Sequence, residues 1–208
     1  MIQPKQINNK TYYPVMEHFY SIQGEGFFAG TPAYFIRLAG CDVGCSWCDV
    51  KESWEVSEDQ YVDLDSILEI INKSKAKNII VTGGEPAMYN LGPLTQMLKQ
   101  NGYKVHLETS GAYPLSGTFD WVCVSPKRFK LPLNESLAKA DELKMIVVNR
   151  HDLKWGIELA ELTTEACQLY FQPEWDRREK VNPIIVDFIK DNPRCKLSLQ
   201  IHKYLNIP

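Results

Sequence analysis

The sequence has no apolar run approaching the ~18 residues that a membrane-spanning helix needs. It also lacks an N-terminal basic region followed by an apolar core, so we do not expect a secretory signal peptide. Neither sign of charge dominates, since 23 Lys and Arg residues are balanced by 26 Asp and Glu residues, for a net charge of -3. Nucleic-acid-binding surfaces are usually basic. We therefore expect a protein that binds neither nucleic acid nor membrane.

Low-complexity segments, internal repeats and linkers are also absent. Apolar residues make up 44% of the chain, which is ordinary for a globular protein, and 208 residues can bury one good core. The first thirteen residues are polar and weakly patterned. We therefore predict an N-terminal extension over residues 1–13 and a single domain over residues 14–208.

The six cysteines do not form the evenly spread framework of a disulfide-stapled protein. Three of them cluster, and the other three, Cys123, Cys167 and Cys195, stand alone in or beside apolar stretches. We interpret these single cysteines as small buried hydrophobic residues. The pattern favours reduced thiols and a cytoplasmic protein.

The clustered cysteines are Cys41, Cys45 and Cys48, with the spacing C-x3-C-x2-C. Three thiolates can hold three irons of a [4Fe–4S] cubane and leave the fourth iron open to a small molecule. A structural zinc site would be closed by a fourth ligand. No further Cys or His lies close by in the sequence, so the spacing favours the cluster.

Short apolar strands alternate with connectors along the chain, which indicates right-handed parallel crossovers. The predicted strands are 33–38, 78–81, 103–107, 121–124, 143–148, 168–171 and 196–200. Four helices are predicted. The first begins after Asp63 or Asp65, the second begins near Pro93, and the other two cover 152–162 and 181–189. A full eight-fold barrel usually needs ~250 residues. We therefore predict an α/β fold, an open partial (βα)-type barrel with about six parallel strands and abbreviated helices.

Polar residues follow most of the predicted strands and should meet at one mouth, where parallel barrels carry their active sites. They are residues 82–85, 108–110, 125–127, 172 and 202. Two further segments carry candidates. Arg37 lies in a predicted buried strand and needs a partner, which is either a substrate carboxylate or an internal Asp or Glu. Gln23 and Glu25, in a glycine-rich stretch, are suited either to reading a heterocycle or to a surface turn.

Several segments resemble the signatures of radical S-adenosylmethionine (radical SAM) enzymes, and specifically the 7-carboxy-7-deazaguanine synthase family. They are the cysteine motif with Trp47, Gly83-Gly84-Glu85-Pro86, Ser21–Gly26, Phe35–Cys41 and Cys48-Asp49. The resemblance implies a radical SAM core in which SAM chelates the open iron and one electron yields a 5'-deoxyadenosyl radical. The implied reaction is ring contraction of 6-carboxy-5,6,7,8-tetrahydropterin to 7-carboxy-7-deazaguanine with loss of ammonia, in a deazapurine (queuosine) pathway.

The resemblance also implies site residues, with no catalytic side chain beyond the cluster and SAM. Cys41, Cys45 and Cys48 would bind the cluster. The cofactor SAM would contact Trp47, Asp49, Gly84, Ser110, Ser125, Pro126, Lys127 and Gln172. The pterin substrate would contact Ile22, Gln23, Gly24, Glu25, Arg37, Thr82, His202 and Pro208, the last through a C-terminal carboxylate. His202 is equally well explained as a structural side chain.

One position departs from the family pattern. Relatives usually carry a hydroxyl residue directly after Cys-Asp, as a ligand of Mg²⁺, and this chain has Val50 there. A valine side chain offers no oxygen to a hard cation. We therefore expect a weakened or absent dependence on magnesium.

The resemblance further implies a homodimer and a flavodoxin- or ferredoxin-like electron donor. Two other hypotheses remain at this stage. One is another small radical SAM enzyme, such as a glycyl-radical activase, which would dock a partner protein. The other is a zinc-stabilised binding module without catalysis.

Overall fold

The computed structural model describes all 208 residues, which form one ten-stranded sheet with six helices. The strands are β1 Lys5–Ile7, β2 Lys10–Ile22, β3 Pro32–Leu38, β4 Tyr61–Asp63, β5 Asn78–Gly83, β6 Lys104–Thr109, β7 Trp121–Val124, β8 Glu142–Val147, β9 Gln168–Pro173 and β10 Cys195–Leu197. The helices are α1 Leu64–Asn72, α2 Gly92–Gln100, α3 Asn134–Leu137, α4 Arg150–Ala160, α5 Arg178–Asp191 and α6 Ile201–Leu205. None of these helices has the length and apolar character to cross a membrane.

The sheet confirms the predicted open partial barrel. Strands β3, β5, β6, β7, β8, β9 and β10 are parallel neighbours in that order, and each overlaps one of the predicted strands. The sheet path starts at β1 and ends at β10, and these two strands do not pair, so the barrel stays open. All seven parallel strands therefore point their carboxyl ends at one mouth.

The core lies between the outer face of the sheet and the helices. Successive side chains of a strand point to opposite faces. Leu143 and Met145 of β8 accordingly join the buried apolar cluster with the helices, while Lys144 points into the barrel cavity. Helix α1 begins after Asp63, whose carboxylate accepts a hydrogen bond from the Ser66 N–H at 3.4 Å, as one of the two predicted caps.

The first thirteen residues contain strand β1 and the start of β2. Strand β2 crosses the predicted boundary between residues 13 and 14, and β1 pairs with it through a turn in which Asn8 and Asn9 have φ of 50° and 60°. Asparagine tolerates this left-handed conformation, which suits tight hairpin turns. The Tyr13 ring is fully buried, and its hydroxyl donates to the Asn90 carbonyl at 2.6 Å. Residues 1–13 are thus packed against the rest of the fold.

The C-terminal segment differs from its prediction. The last strand, predicted as 196–200, ends at Leu197, and the chain turns into α6 instead. The Ile201 N–H donates to the Gly24 carbonyl at 2.9 Å, which ties the start of α6 to the glycine-rich segment. This turn carries His202 and Lys203 across the mouth of the barrel.

Candidate active site

A cavity of about 750 Å³ opens at the carboxyl ends of the parallel strands, within the size range of small-molecule sites. All but one of the predicted site residues line it: Ile22, Gln23, Gly24, Glu25, Arg37, Cys41, Cys45, Trp47, Cys48, Asp49, Thr82, Gly84, Ser110, Ser125, Lys127, Gln172, His202 and Pro208. Pro126 is buried and is not part of the wall. Ser125 and Lys127 on either side of Pro126 do line the cavity, which fits the alternation of side-chain directions in extended chain.

The loop that carries the three cysteines is held by its backbone. The Gly40 N–H donates to the Ser53 carbonyl at 2.7 Å, and the Cys41 N–H donates to the Trp54 carbonyl at 3.2 Å. Within the loop, the Cys48 N–H donates to the Cys45 carbonyl at 3.1 Å. Gly40 has a φ of 100°, a conformation that favours glycine. The loop therefore presents all three thiols to the same cavity.

The three thiols suit an iron–sulfur cluster. All are free of disulfides, and Cys45 is buried while the other two are partly exposed. Burial raises the pKa of the Cys45 thiol to about 11, so it becomes a thiolate when a metal replaces its proton. No three His, Cys, Asp or Glu side chains converge closely enough to share one metal ion. In a cubane each cysteine binds a different iron, so its ligands need not converge on one point.

The Gly-Gly-Glu-Pro loop packs against the cysteine loop. A Cβ atom on Gly84 would lie 2.4 Å from the Gly40 carbonyl oxygen and 2.7 Å from the Cys41 Cβ, so only glycine fits there. The Glu85 carboxylate is buried and accepts hydrogen bonds from Ala87 N–H, Thr109 Oγ1, and both the N–H and hydroxyl of Ser110. Glu85 thus orders the loop from behind and leaves its backbone edge to a ligand.

The charged side chains among the predicted SAM residues, Lys127 and Asp49, are held by hydrogen bonds to neighbouring residues. Lys127 Nζ donates to the Ser125 carbonyl at 2.6 Å and to the Ser125 hydroxyl at 2.7 Å, and it lies 5.5 Å from the centre of the Trp47 ring. Asp49 accepts from Lys203 Nζ at 2.8 Å. These contacts bring residues from three distant stretches of chain to one side of the cavity.

A buried ion-pair group lies at the other side of the cavity, and sequence reasoning missed its centre, Lys144. Its ammonium pairs with Glu25 at 2.7 Å and with Glu108 at 2.8 Å, while its side chain is only 5% exposed. The second oxygens of these carboxylates accept from Gln200 Nε2 at 2.9 Å and from Gln23 Nε2 at 3.3 Å respectively. The signal was available, because Lys144 is a charged residue in a predicted buried strand, as Arg37 is.

Burial works to raise the pKa of Glu25, but the ammonium of Lys144 outweighs this and holds that pKa at about 2. Burial likewise works to lower the pKa of Lys144, and the surrounding Cys123, Glu108 and Glu25 raise it well above its ordinary value instead. Lys144 and Glu25 are therefore both ionised at neutral pH. A buried charge pair of this kind is costly to break by removing one member.

A third carboxyl group, Glu142, lies below this pair and outside the cavity wall. Its Oε2 accepts from the Phe27 N–H at 3.1 Å and from Trp121 Nε1 at 3.2 Å, whereas its Oε1 is buried without a partner. Burial raises the pKa of Glu142, with Lys144 partly opposing. This carboxyl group therefore holds a proton more tightly in the folded protein than an exposed glutamate does.

Arg37 has an internal partner. Its Nε donates to Glu17 Oε1 at 2.6 Å, so the salt bridge that the sequence left open is present. Arg37 and Glu17 are directly opposite each other in the antiparallel β2–β3 pair, and both line the cavity. Of the five guanidinium N–H groups, only the Nε–H is used by the protein, which leaves the terminal nitrogens to face a ligand.

The segment after α6 closes the same side of the cavity. The Ser21 hydroxyl donates to the Pro208 carbonyl oxygen at 2.9 Å, which fixes the last residue at the cavity wall. A Cβ atom on Gly24 would lie 2.2 Å from His202 Nδ1, so the two residues are in close contact. His202 therefore contacts the glycine-rich segment whichever of its two predicted roles applies.

Val50 lines the cavity with an apolar side chain. Its carbonyl oxygen is engaged, since it accepts from the Ser53 N–H at 3.1 Å and from the Ser53 hydroxyl at 2.6 Å. The neighbouring Asp49 carboxylate is paired with Lys203. The residues at this position therefore do not fit a ready-made magnesium site.

Comparison with known proteins agrees with this site. Residues 35–124 match the family model described as the radical SAM superfamily. The chain is 51% identical to 7-carboxy-7-deazaguanine synthase from Flavobacterium psychrophilum, over 94% of this chain and 92% of that protein. It is 39% identical to the enzyme of the same name from Escherichia coli K12, over 94% of this chain and 99% of that protein.

The fold agrees as well. The crystal structure of QueE from Escherichia coli superposes with a TM-score of 0.82 at 34% sequence identity, covering 92% of this chain and 95% of that one. The similarity therefore extends over more than nine-tenths of this chain.

Proposed function

The chain belongs to the 7-carboxy-7-deazaguanine synthase family of radical SAM enzymes, and we propose how its own residues serve that activity. The activity is the ring contraction of 6-carboxy-5,6,7,8-tetrahydropterin to 7-carboxy-7-deazaguanine, with one nitrogen leaving as ammonia. The pterin loses the atoms of ammonia and nothing else, so the reaction needs no net oxidant. It is a step of the queuosine pathway.

Cys41, Cys45 and Cys48 would hold the [4Fe–4S] cluster, because they are free and lie in one loop at the cavity. When bound, the cluster and SAM supply the one-electron chemistry that starts the rearrangement. The protein binds, orients and excludes water. Trp47, Asp49 and Lys127 would contact SAM at the cluster side, where Gly84 lets its loop pack closely against the cysteine loop.

The pterin would lie on the opposite side, between the glycine-rich segment and the end of the chain. Its carboxylate fits the free terminal nitrogens of Arg37, which can grip two oxygens at once. Its aminopyrimidine edge presents N–H donors, and Glu25 is an ionised acceptor in reach of the cavity. Thr82 and His202 line the space between them.

Three finer assignments complete the proposal: the first rests on a departure from the family pattern, and the other two rest on the family resemblance. We propose weak or absent magnesium binding, because Val50 supplies no side-chain oxygen and its carbonyl is already engaged. We also propose a homodimer, to be tested by measuring the mass of the protein in solution. The external electron would come from a flavodoxin- or ferredoxin-like protein, to be tested by comparing such donors with dithionite.

The observation that best supports this function is the presence of both halves of the site in one cavity: the cysteine loop on one side and paired cationic and anionic groups on the other. The test is an anaerobic assay of reconstituted protein with SAM, a reductant and carboxytetrahydropterin. We expect 7-carboxy-7-deazaguanine and ammonia in equal amounts. A reconstituted protein that binds the cluster and cleaves SAM without consuming the pterin would overturn the substrate assignment.

A further inference from the structure

Lys144 is the most deeply buried charged group at the pterin side of the cavity, and the proposed function has not used it. It projects from the middle of β8 under two partly exposed carboxylates, Glu25 and Glu108, whose side chains are 18% and 21% exposed. One ammonium thus lies between two acids that come from different parts of the chain. Each acid keeps a share of its surface open to the cavity.

Each carboxylate is oriented from two sides. One oxygen is bound to Lys144, and the other accepts an amide hydrogen bond, from Gln200 for Glu25 and from Gln23 for Glu108. A carboxylate oxygen has two lone pairs, so both groups retain acceptor capacity after these contacts. The arrangement is a pair of fixed acceptors with a shared cation beneath them.

Without that cation, the two neighbouring carboxylates would repel each other, and burial would raise the pKa of Glu25 unopposed by the ammonium. A protonated carboxyl group becomes a donor on one oxygen and would then oppose an N–H group of the ligand. The other groups that act on Lys144 are Cys123 and Glu142, from the neighbouring strand and its own strand, and the cavity-wall residues Lys127 and His202. His202 also acts on Glu25, but only Lys144 is paired directly with both carboxylates.

We propose that Lys144 is a positioning residue that holds the carboxylates of Glu25 and Glu108 in place as two acceptors for the aminopyrimidine edge of the substrate. This inference rests on the proposed function, since it deepens the recognition of the same pterin. The exocyclic amino group and the adjacent ring N–H of a pterin are two donors on one edge. Two acceptors held by one cation match that edge in number and in sign.

The test is binding of 6-carboxypterin to the cluster-loaded protein without reductant, followed by fluorescence, so that it does not depend on turnover. We expect Lys144→Met to weaken binding 10-fold to 100-fold at pH 7.5 and to raise KM more than it lowers kcat. The loss should grow as the pH falls from 8 to 6, because Glu25 would lack the ammonium that holds its pKa low and would then take up a proton, while wild-type binding stays level. Lys144→Arg keeps the charge and should recover most of the affinity.

Glu142→Gln is the matched control, because it removes a buried carboxyl group beside Lys144 without touching the cavity wall, and it should bind like wild type. If Lys144→Met does not fold, Lys144→Met/Glu108→Gln restores the net charge and is measured instead. We expect that double variant to fold and still bind weakly.

Wild-type affinity and a level pH profile in a folded Lys144 variant would overturn the positioning role and leave a purely structural one. Wild-type protein that neither binds 6-carboxypterin nor turns over carboxytetrahydropterin would overturn the proposed function, and this inference with it. The two failures are therefore distinguishable.

Discussion

The carboxylate of Glu85 and the residue Ser110 are joined twice, through the Ser110 backbone N–H at 2.7 Å and through the Ser110 hydroxyl. This link connects the loop after β5 with the loop after β6, at the point where both reach the cavity. The carboxylate accepts four hydrogen bonds in all, from Ala87, Thr109 and Ser110, and donates none. It therefore links two loops of the proposed SAM site.

Replacing Glu85 by Gln should destabilise the protein, because an amide has one acceptor oxygen where the carboxylate has two. The amide NH2 group would then face donors and leave at least one of them unsatisfied. We expect a loss of about 1–3 kcal/mol in the free energy of unfolding, measured in urea, together with weaker SAM binding. Glu135→Gln, at an exposed position, is the control and should change neither. Equal stabilities of the Glu85 variant and wild type would show that the hydrogen bonds of this carboxylate do not stabilise the fold.

Cys45→Ala should abolish cluster assembly, because two thiolates do not hold the cubane. The measurement is iron and sulfide content after anaerobic reconstitution, with about four of each per chain expected for wild type. Cys123→Ala and Cys167→Ala should retain the cluster, because both cysteines are buried outside the cavity wall. Loss of iron in either control would mean that the three-cysteine assignment is incomplete.

Arg37→Lys should weaken pterin binding by about 1.5–3 kcal/mol, the range for a hydrogen bond to a charged group, because lysine cannot form the two-point grip. The salt bridge allows a sharper comparison. Glu17→Gln removes the internal charge partner but leaves an oxygen to accept from Arg37 Nε, so it should retain or tighten substrate binding. If both variants lower stability equally and neither changes 6-carboxypterin affinity, the pair serves the fold alone.

The cysteine loop and the parallel strands could be predicted because their signals are local. Ligand spacing and the alternation of strands and helices are written within short stretches of chain. The partners of Arg37 and Lys144 could not be predicted in this way, because they are distant in the sequence and are brought together only by the fold. Glu17 lies opposite Arg37 only because β2 pairs with β3, and β2 was not among the predicted strands. Its hairpin depends on the Asn8-Asn9 turn, a weaker signal than Asn-Gly.

Lys144 shows a second limit of sequence reasoning. Its position in a buried strand indicates that it needs an anionic partner, but several acids were available. The choice of Glu25 and Glu108 follows from barrel geometry, which brings the glycine-rich segment and the end of β6, across β7, within reach of the Lys144 side chain on β8. Such pairings depend on tertiary structure and carry no period or spacing in the sequence.

Glu142→Gln should stabilise the protein at neutral pH. Burial raises the pKa of this carboxyl group above its ordinary value of 4.5, so the folded state holds the proton more tightly than the unfolded state. Stability then falls as the pH rises from 4.5 through the folded pKa, and the glutamine variant escapes that fall. The measurement is the free energy of unfolding in urea between pH 4 and 8 for both proteins. The difference should be smallest near pH 4 and should grow with pH, and a difference independent of pH would contradict the raised pKa.

Val50→Thr should create or tighten a response to magnesium. Mg²⁺ prefers about six oxygens in an octahedron, and threonine would add one where valine adds none. The other nearby oxygens are engaged, since the Val50 carbonyl accepts from Ser53 and the Asp49 carboxylate is paired with Lys203. The wild-type protein therefore offers the ion little at this position.

The measurement is turnover in magnesium-free buffer with a chelator, followed by titration with Mg²⁺, for wild type and Val50→Thr. Val50→Ala is the matched control, because it shortens the side chain without adding an oxygen and admits water to the same space. We expect a weak response in wild type, a stronger and saturable one in Val50→Thr, and no comparable gain in Val50→Ala. Equal gains in the two variants would mean that space for water, and not the hydroxyl oxygen, limits the metal. Strong activation of wild type with no tightening in Val50→Thr would show that another group holds the ion, because the added oxygen would then have no vacant ligand position to fill.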